Sequence, residues 1–178
     1  MLVRDIKCFD NTMYLSLTNE AEGQTLKTID GSGSGSGSRL VPFHQELLAL
    51  GFDDYVTNQR RRLGSEGRLF DALKPSKKYG SLTSVISKHL NRLLRKIGIS
   101  DKRLVFYSLR HTFKHFGRMC GIPKAIVDQL AGHETGEVGD AYGGENFPVE
   151  PLIEGMQMYR LPVLDLSHLY PNASGVAK

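Results

Sequence analysis

A chain of 178 residues, 40% of them hydrophobic, is long enough to bury a real core, and one compact domain is the expectation. No apolar run approaches the ~20 residues of a membrane span, and the N-terminus lacks the basic, apolar, small-residue order of a signal peptide. The formal net charge of +4 conceals a polarity: residues 60–118 hold 16 Lys/Arg against 3 Asp/Glu, which predicts a basic face turned to a polyanion, nucleic acid above all.

In chain order, residues 2–9 and 13–18 alternate as two strands around the turn Asp10-Asn11. Residues 26–29 and 39–42 form a second candidate pair. Between them, from Gly31 to Ser38, Gly and Ser alternate strictly. Such a composition behaves as a flexible coil and carries no chemistry. It reads as an inserted linker or as a natural low-complexity loop, and residues 31–38 are set aside from functional argument.

Residues 44–50 read as a short helix stopped by Gly51, and residues 53–63 as a second helix. Arg60, Arg61 and Arg62 fall in its last turn, where cations suit the helix dipole. Residues 64–80 are loop-like, pinned by Leu69 and Phe70. Ser81 is a candidate N-cap for a helix that reaches Ile97, with Gly98 as its stop. Ile86, Leu90, Leu93 and Ile97 share one face at helical spacing and are expected to pack inward. Lys88, Arg92, Arg95 and Lys96 fall roughly opposite, free to meet phosphates. A further helix runs from Ser108 to Cys120 with Phe113, Phe116 and Met119 as its apolar stripe. Pro123 opens the next, which carries Ile126, Val127 and Leu130, and Gly132 ends it and presents His133. Residues 138–142 form a short helical turn. Residues 148–161 make a final helix with Leu152, Ile153, Met156 and Tyr159 on its apolar face. The expected fold is mainly α with a small antiparallel β-sheet near the N-terminus, one domain over residues 1–167, and a disordered tail over 168–178.

The chemistry concentrates between Tyr107 and Tyr142. Arg110 precedes His133 by 23 residues, and Tyr142 follows His133 by 9. An arginine offers a planar fork to a phosphate. A histidine donates a hydrogen bond to a phosphate oxygen or handles a proton. A tyrosine between them can attack phosphorus, provided positive charge offsets a pKa of about 10. Arg110 is expected in the first turn of its helix, where free backbone N–H groups also favour an anion. Cys8 and Cys120 lie far apart with no metal-ligand spacing, which is simplest as a reduced cytoplasmic protein.

Arg110-His111-Thr112-Phe113, then Leu130-Ala131-Gly132-His133, then Tyr142 resemble the C-terminal half of a phage-type integrase, a tyrosine recombinase. The likeness reaches back to Lys27-Thr28 and to the stretch from Ser38 to His44, and so covers most of residues 1–165. It implies the tyrosine recombinase catalytic-domain fold and site-specific DNA recombination or integration. Tyr142 would cleave a strand, leaving a 3′-phosphotyrosyl link and a free 5′-hydroxyl, with no cofactor or metal. Lys27 would protonate the leaving oxygen. Double-stranded DNA is the implied partner, in a bacterial or phage-infected cell, with the helix over residues 148–161 either serving self-association on DNA or packing on its own domain. Two departures qualify the likeness. Tyr107 stands where the family has a histidine, and a phenol is no cation near neutral pH. The family's other arginine lies upstream of the first strand, where this chain begins. Arg4, expected on the strand itself, does not match it. Losing one such donor costs about 10²–10³ in rate, so the fragment is expected to cleave DNA poorly. The alternative is a non-catalytic DNA-binding module derived from an integrase.

Overall fold

The computed structural model describes residues 1–18, 39–76, 80, 82–132, 148–162 and 164–171. Helices dominate, with one small antiparallel sheet built from the N-terminal third. Strands β1 (Ile6–Phe9) and β2 (Thr12–Leu17) pair with Ile6 opposite Leu15 and Phe9 opposite Thr12. Asp10 and Asn11 join them with φ of 42° and 61°. Both sit in the left-handed region that a two-residue hairpin requires, and Asp and Asn tolerate it better than other side chains. The first strand is shorter than expected. Asp5 accepts the Leu2 N–H at 2.6 Å, and Val3–Asp5 forms a 3-10 turn instead. Arg4 therefore lies in that turn, paired with Glu66 at 2.5 Å, and not on the strand.

Strand β3 (Arg39–Pro42) pairs with β2, Leu17 opposite Arg39 and Tyr14 opposite Pro42, to give the order β1-β2-β3. Its expected partner, residues 26–29, lies outside the described residues, as do 31–38, Ser81 and 138–142. After β3 come α1 (Gln45–Ala49), α2 (Phe52–Leu63), α3 (Leu82–Lys96), α4 (Ser108–Met119), α5 (Lys124–Ala131) and α6 (Val149–Met158). The His44 ring caps α1 by accepting the Glu46 N–H, and its other nitrogen meets the Tyr159 carbonyl at 3.0 Å. Beyond α6, Ser167–Leu169 makes a 3-10 turn, and the Tyr170 hydroxyl donates to Glu46 at 2.6 Å.

Two apolar clusters hold these elements. In the larger, Ile122, Ile126, Val127 and Leu130 from α5 and its approach meet Leu152, Met156 and Tyr159, with Leu40 and Val41 of β3 and Phe113 and Phe116 of α4 packed on them. In the smaller, Val3, Ile6, Val56 and Leu69 join the hairpin to α2. Leu69 pins its loop from a fully buried position, whereas Phe70 stays exposed and stacks on Tyr55. The α3 stripe departs from expectation. No residue of α3 is buried, and Leu93 and Ile97 remain 45% and 63% exposed. Met119 is likewise exposed. Periodicity marks an apolar face but not whether a neighbour covers it.

Candidate functional site

The site begins where α3 hands the chain to α4. Asn91 of α3 accepts the Phe106 N–H at 2.6 Å. Arg95 donates to the carbonyls of Ile99, Asp101 and Leu104, closing the loop on itself. These bonds fix the start of α4, and hence Arg110 in its first turn. The backbone there is not the anion site expected. The N–H groups of Ser108, Leu109 and Arg110 already donate to the carbonyls of Val105, Phe106 and Tyr107, at 2.8, 3.1 and 3.1 Å. A preceding tight turn has taken the donors that a helix start ordinarily leaves free. Positive charge at this point has to come from side chains.

Arg110 supplies it. Its Nη2 donates to the Gly132 carbonyl at 3.1 Å, joining two sequence boxes 22 residues apart. Gly132 is the C-cap of α5, with φ 68°, the left-handed turn that glycine enters without strain. A second guanidinium reaches the same residue. Arg39, half-buried at the head of β3, lies so close that a Cβ on Gly132 would stand 2.6 Å from its Cζ and 2.7 Å from its Nη1. Burial, and then the charge of Arg110, push the Arg39 guanidinium below the usual arginine range. The Nε–H of Arg110 is buried without a hydrogen-bond partner among the described residues.

Tyr107, one turn before Arg110, is 63% exposed; its ring centroid lies 6.0 Å from the Arg110 Cζ and meets the His111 ring edge-on. The buried carboxylate of α5 is committed elsewhere. Asp128, with 3% of its side chain exposed, holds Lys114 at 2.6 Å and Lys124 at 3.0 Å. Burial alone would raise its carboxyl, but the two lysines outweigh burial and hold it below the usual range.

The other basic residues divide by what they touch. Arg60 donates to the Ile6 carbonyl at 3.1 Å, tying α2 to β1. Arg62 pairs with Asp71 at 2.8 Å and donates to Gln59, itself buried and bonded to the Leu69 carbonyl. Arg61 points outward, with a 3.5 Å contact to Asn58. Lys88, Arg92 and Lys96 are exposed on α3, while Arg95 faces the loop. Thus the basic run of α2 is largely a brace for the hairpin, and α3 offers the outward cations. Lys27, His133 and Tyr142 lie outside the described residues; His133 follows Gly132 directly in the chain. Arg39 carries no role in a reading of sequence alone. The one signal was an arginine opening the apolar run Leu40-Val41-Pro42-Phe43.

No group of three or more His, Cys, Asp or Glu able to hold a metal occurs among the described residues, and no helix there is long and apolar enough to cross a membrane. Comparison with family models, with curated proteins and with solved structures gives no match.

Proposed function

We propose that this chain is the catalytic half of a tyrosine recombinase of the phage integrase type, cleaving and rejoining double-stranded DNA. The observation that carries the reading is the bond from Arg110 to Gly132, which draws the arginine box to the residue before His133. In this reading Arg110 holds the scissile phosphate, His133 donates to a non-bridging oxygen, and the Tyr142 oxygen attacks phosphorus as its phenolic proton passes to solvent. The 5′ oxygen leaves and takes a proton from Lys27. The phosphotyrosyl link conserves the bond energy, and a 5′-hydroxyl reverses the step. Tyr107 orients phosphate through its hydroxyl without carrying charge.

The test is covalent capture on a pool of nicked, random-sequence duplexes, with mass mapping of the adduct and Tyr142→Phe as control. An adduct on Tyr142 supports the reading. Salt-sensitive duplex binding with no adduct favours instead the non-catalytic DNA-binding module, which the tyrosine at position 107 also fits. Neither adduct nor binding removes both.

A further inference from the structure

Helix α3 is fastened to the protein by its polar side. At about 100° per residue, Asn91 and Arg95 lie away from Ile86, Leu90, Leu93 and Ile97. Asn91 accepts the Phe106 N–H, and Arg95 donates to the carbonyls of Ile99, Asp101 and Leu104. The apolar stripe is not buried by any neighbour among the described residues: Ile86 and Leu90 are half-buried, and Leu93 and Ile97 are exposed. Its residues follow one another at steps of four, three and four. That is the narrow step of a helix-on-helix seam, whereas a helix sunk in a globular core shows a wider face. From Ile86 to Ile97 the seam runs about 17 Å. His89, Arg92 and Lys96 border it along one edge, all exposed, and the chain has no Asp or Glu between Asp71 and Asp101.

We propose that this stripe is a docking seam for an acidic amphipathic helix of another protein. Leucine-type residues of the partner pack on Ile86, Leu90, Leu93 and Ile97, and its carboxylates face Arg92 and Lys96. Charge complementarity selects this occupant. A second copy of the chain would set the same cations against its own, with no acid on α3 to answer them. A DNA duplex answers the cations but leaves the apolar stripe in water. A lipid surface calls for a broad apolar face that carries Trp or Phe, and α3 has neither. The bonds of Asn91 and Arg95 set the helix in place before a partner arrives, which lowers the cost of docking. Docking on this seam requires nothing of Arg110 or Tyr142.

The experiment follows backbone amide resonances of the full chain during titration with synthetic helical peptides of about five turns. One carries Leu at the four-three step with Glu alongside. A second keeps the Glu and replaces Leu by Ser, and a third keeps the Leu and replaces Glu by Lys. The Leu–Glu peptide is expected to bind, with shifts centred on residues 86–97. Leu93→Gln and Ile97→Gln are each expected to weaken it about tenfold. Lys96→Gln is expected to weaken it about threefold at low salt, and Arg61→Gln on α2 to leave it unchanged. Equal binding of the Ser–Glu peptide would reduce the contact to charge alone and overturn the seam. Equal binding of the Leu–Lys peptide, or shifts centred away from α3, would overturn it as well. So would a dimer of the chain alone that Ile97→Gln dissolves, which assigns the stripe to a second copy. Attachment to phosphatidylserine vesicles that Ile97→Gln abolishes, with no binding of the Leu–Glu peptide, would assign it to lipid. Should either Gln variant fail to fold, Lys96→Gln and the three peptides carry the same comparison.

Discussion

Asp128 shows how a single residue can be both costly and indispensable. Its carboxylate is almost fully enclosed between α4 and α5, and it is tolerated there because Lys114 and Lys124 flank it. Removing it leaves Lys114, itself mostly covered, as an uncompensated charge. Asp128→Ala is expected to cost about 3 kcal/mol, measured by urea unfolding at neutral pH. Because its folded pKa is depressed, the unfolded chain binds this proton more readily. The contribution is complete above the ordinary carboxylate value of about 3.9 and is lost as pH falls through the folded value. Melting curves of the parent should therefore drop across that acid window more steeply than those of Asp128→Asn. Little of this was legible beforehand: Lys124 and Asp128 are four apart on a helix, but Lys114 comes from another element. Arg39 repeats the lesson. Its neighbours Gly132 and Arg110 are 93 and 71 residues away in sequence. No local pattern announces a meeting that only the packing of β3 on α5 creates.

Elements were more readable than contacts, and their ends were the clearest. Gly51, Gly132 and the Asp10-Asn11 turn all mark boundaries where expected, because positive φ is a local demand that few residues meet. Helix faces were less certain. The stripe of α3 has the right period, yet Ile97 is mostly exposed while Leu152 of α6 is fully covered. Leu152→Ala should cost about 3 kcal/mol, whereas Ile97→Ala should cost less than about 0.5 kcal/mol by the same unfolding measurement. A close approach of α6 to α5 rests on a residue with no side chain. A Cβ on Gly155 would stand 2.6 Å from the Ile126 Cγ2 and 3.3 Å from the Ile122 Cγ2. Both are β-branched and cannot easily turn away. Gly155→Ala gains about 1 kcal/mol of helix propensity but overpacks the seam by about 1–3 kcal/mol. A lower melting temperature is the expected result, against the usual direction for glycine in a helix.

For the molecule as a whole, the surplus of cations over residues 60–118 pointed to a polyanion, but it overstated how many are on offer. Arg60 and Arg62 brace the hairpin, and Arg95 closes the loop before α4. Composition counts charges; it does not say which are already spent on carbonyls and carboxylates. The division can be measured on duplex DNA. Arg92→Ala and Lys96→Ala should each flatten the dependence of log affinity on log salt by about one unit. Arg95→Ala should leave that slope alone and lower the melting temperature, since three carbonyls lose their donor. On the proposed DNA-binding reading, a salt slope that fell equally for all three would mean that α3 turns a different face to the duplex.

The pairing of Leu17 with Arg39 pins both ends of the intervening chain, whatever its make-up. Closure entropy varies only with the logarithm of length, so trimming or doubling the Gly-Ser octet should change stability by less than about 1 kcal/mol. The same logic makes this stretch the natural place to open new termini by circular permutation. Sealing the old ends near Met1 and Lys178 would then report whether β3 keeps its register, and Arg39 its post, without the covalent tether that now delivers it.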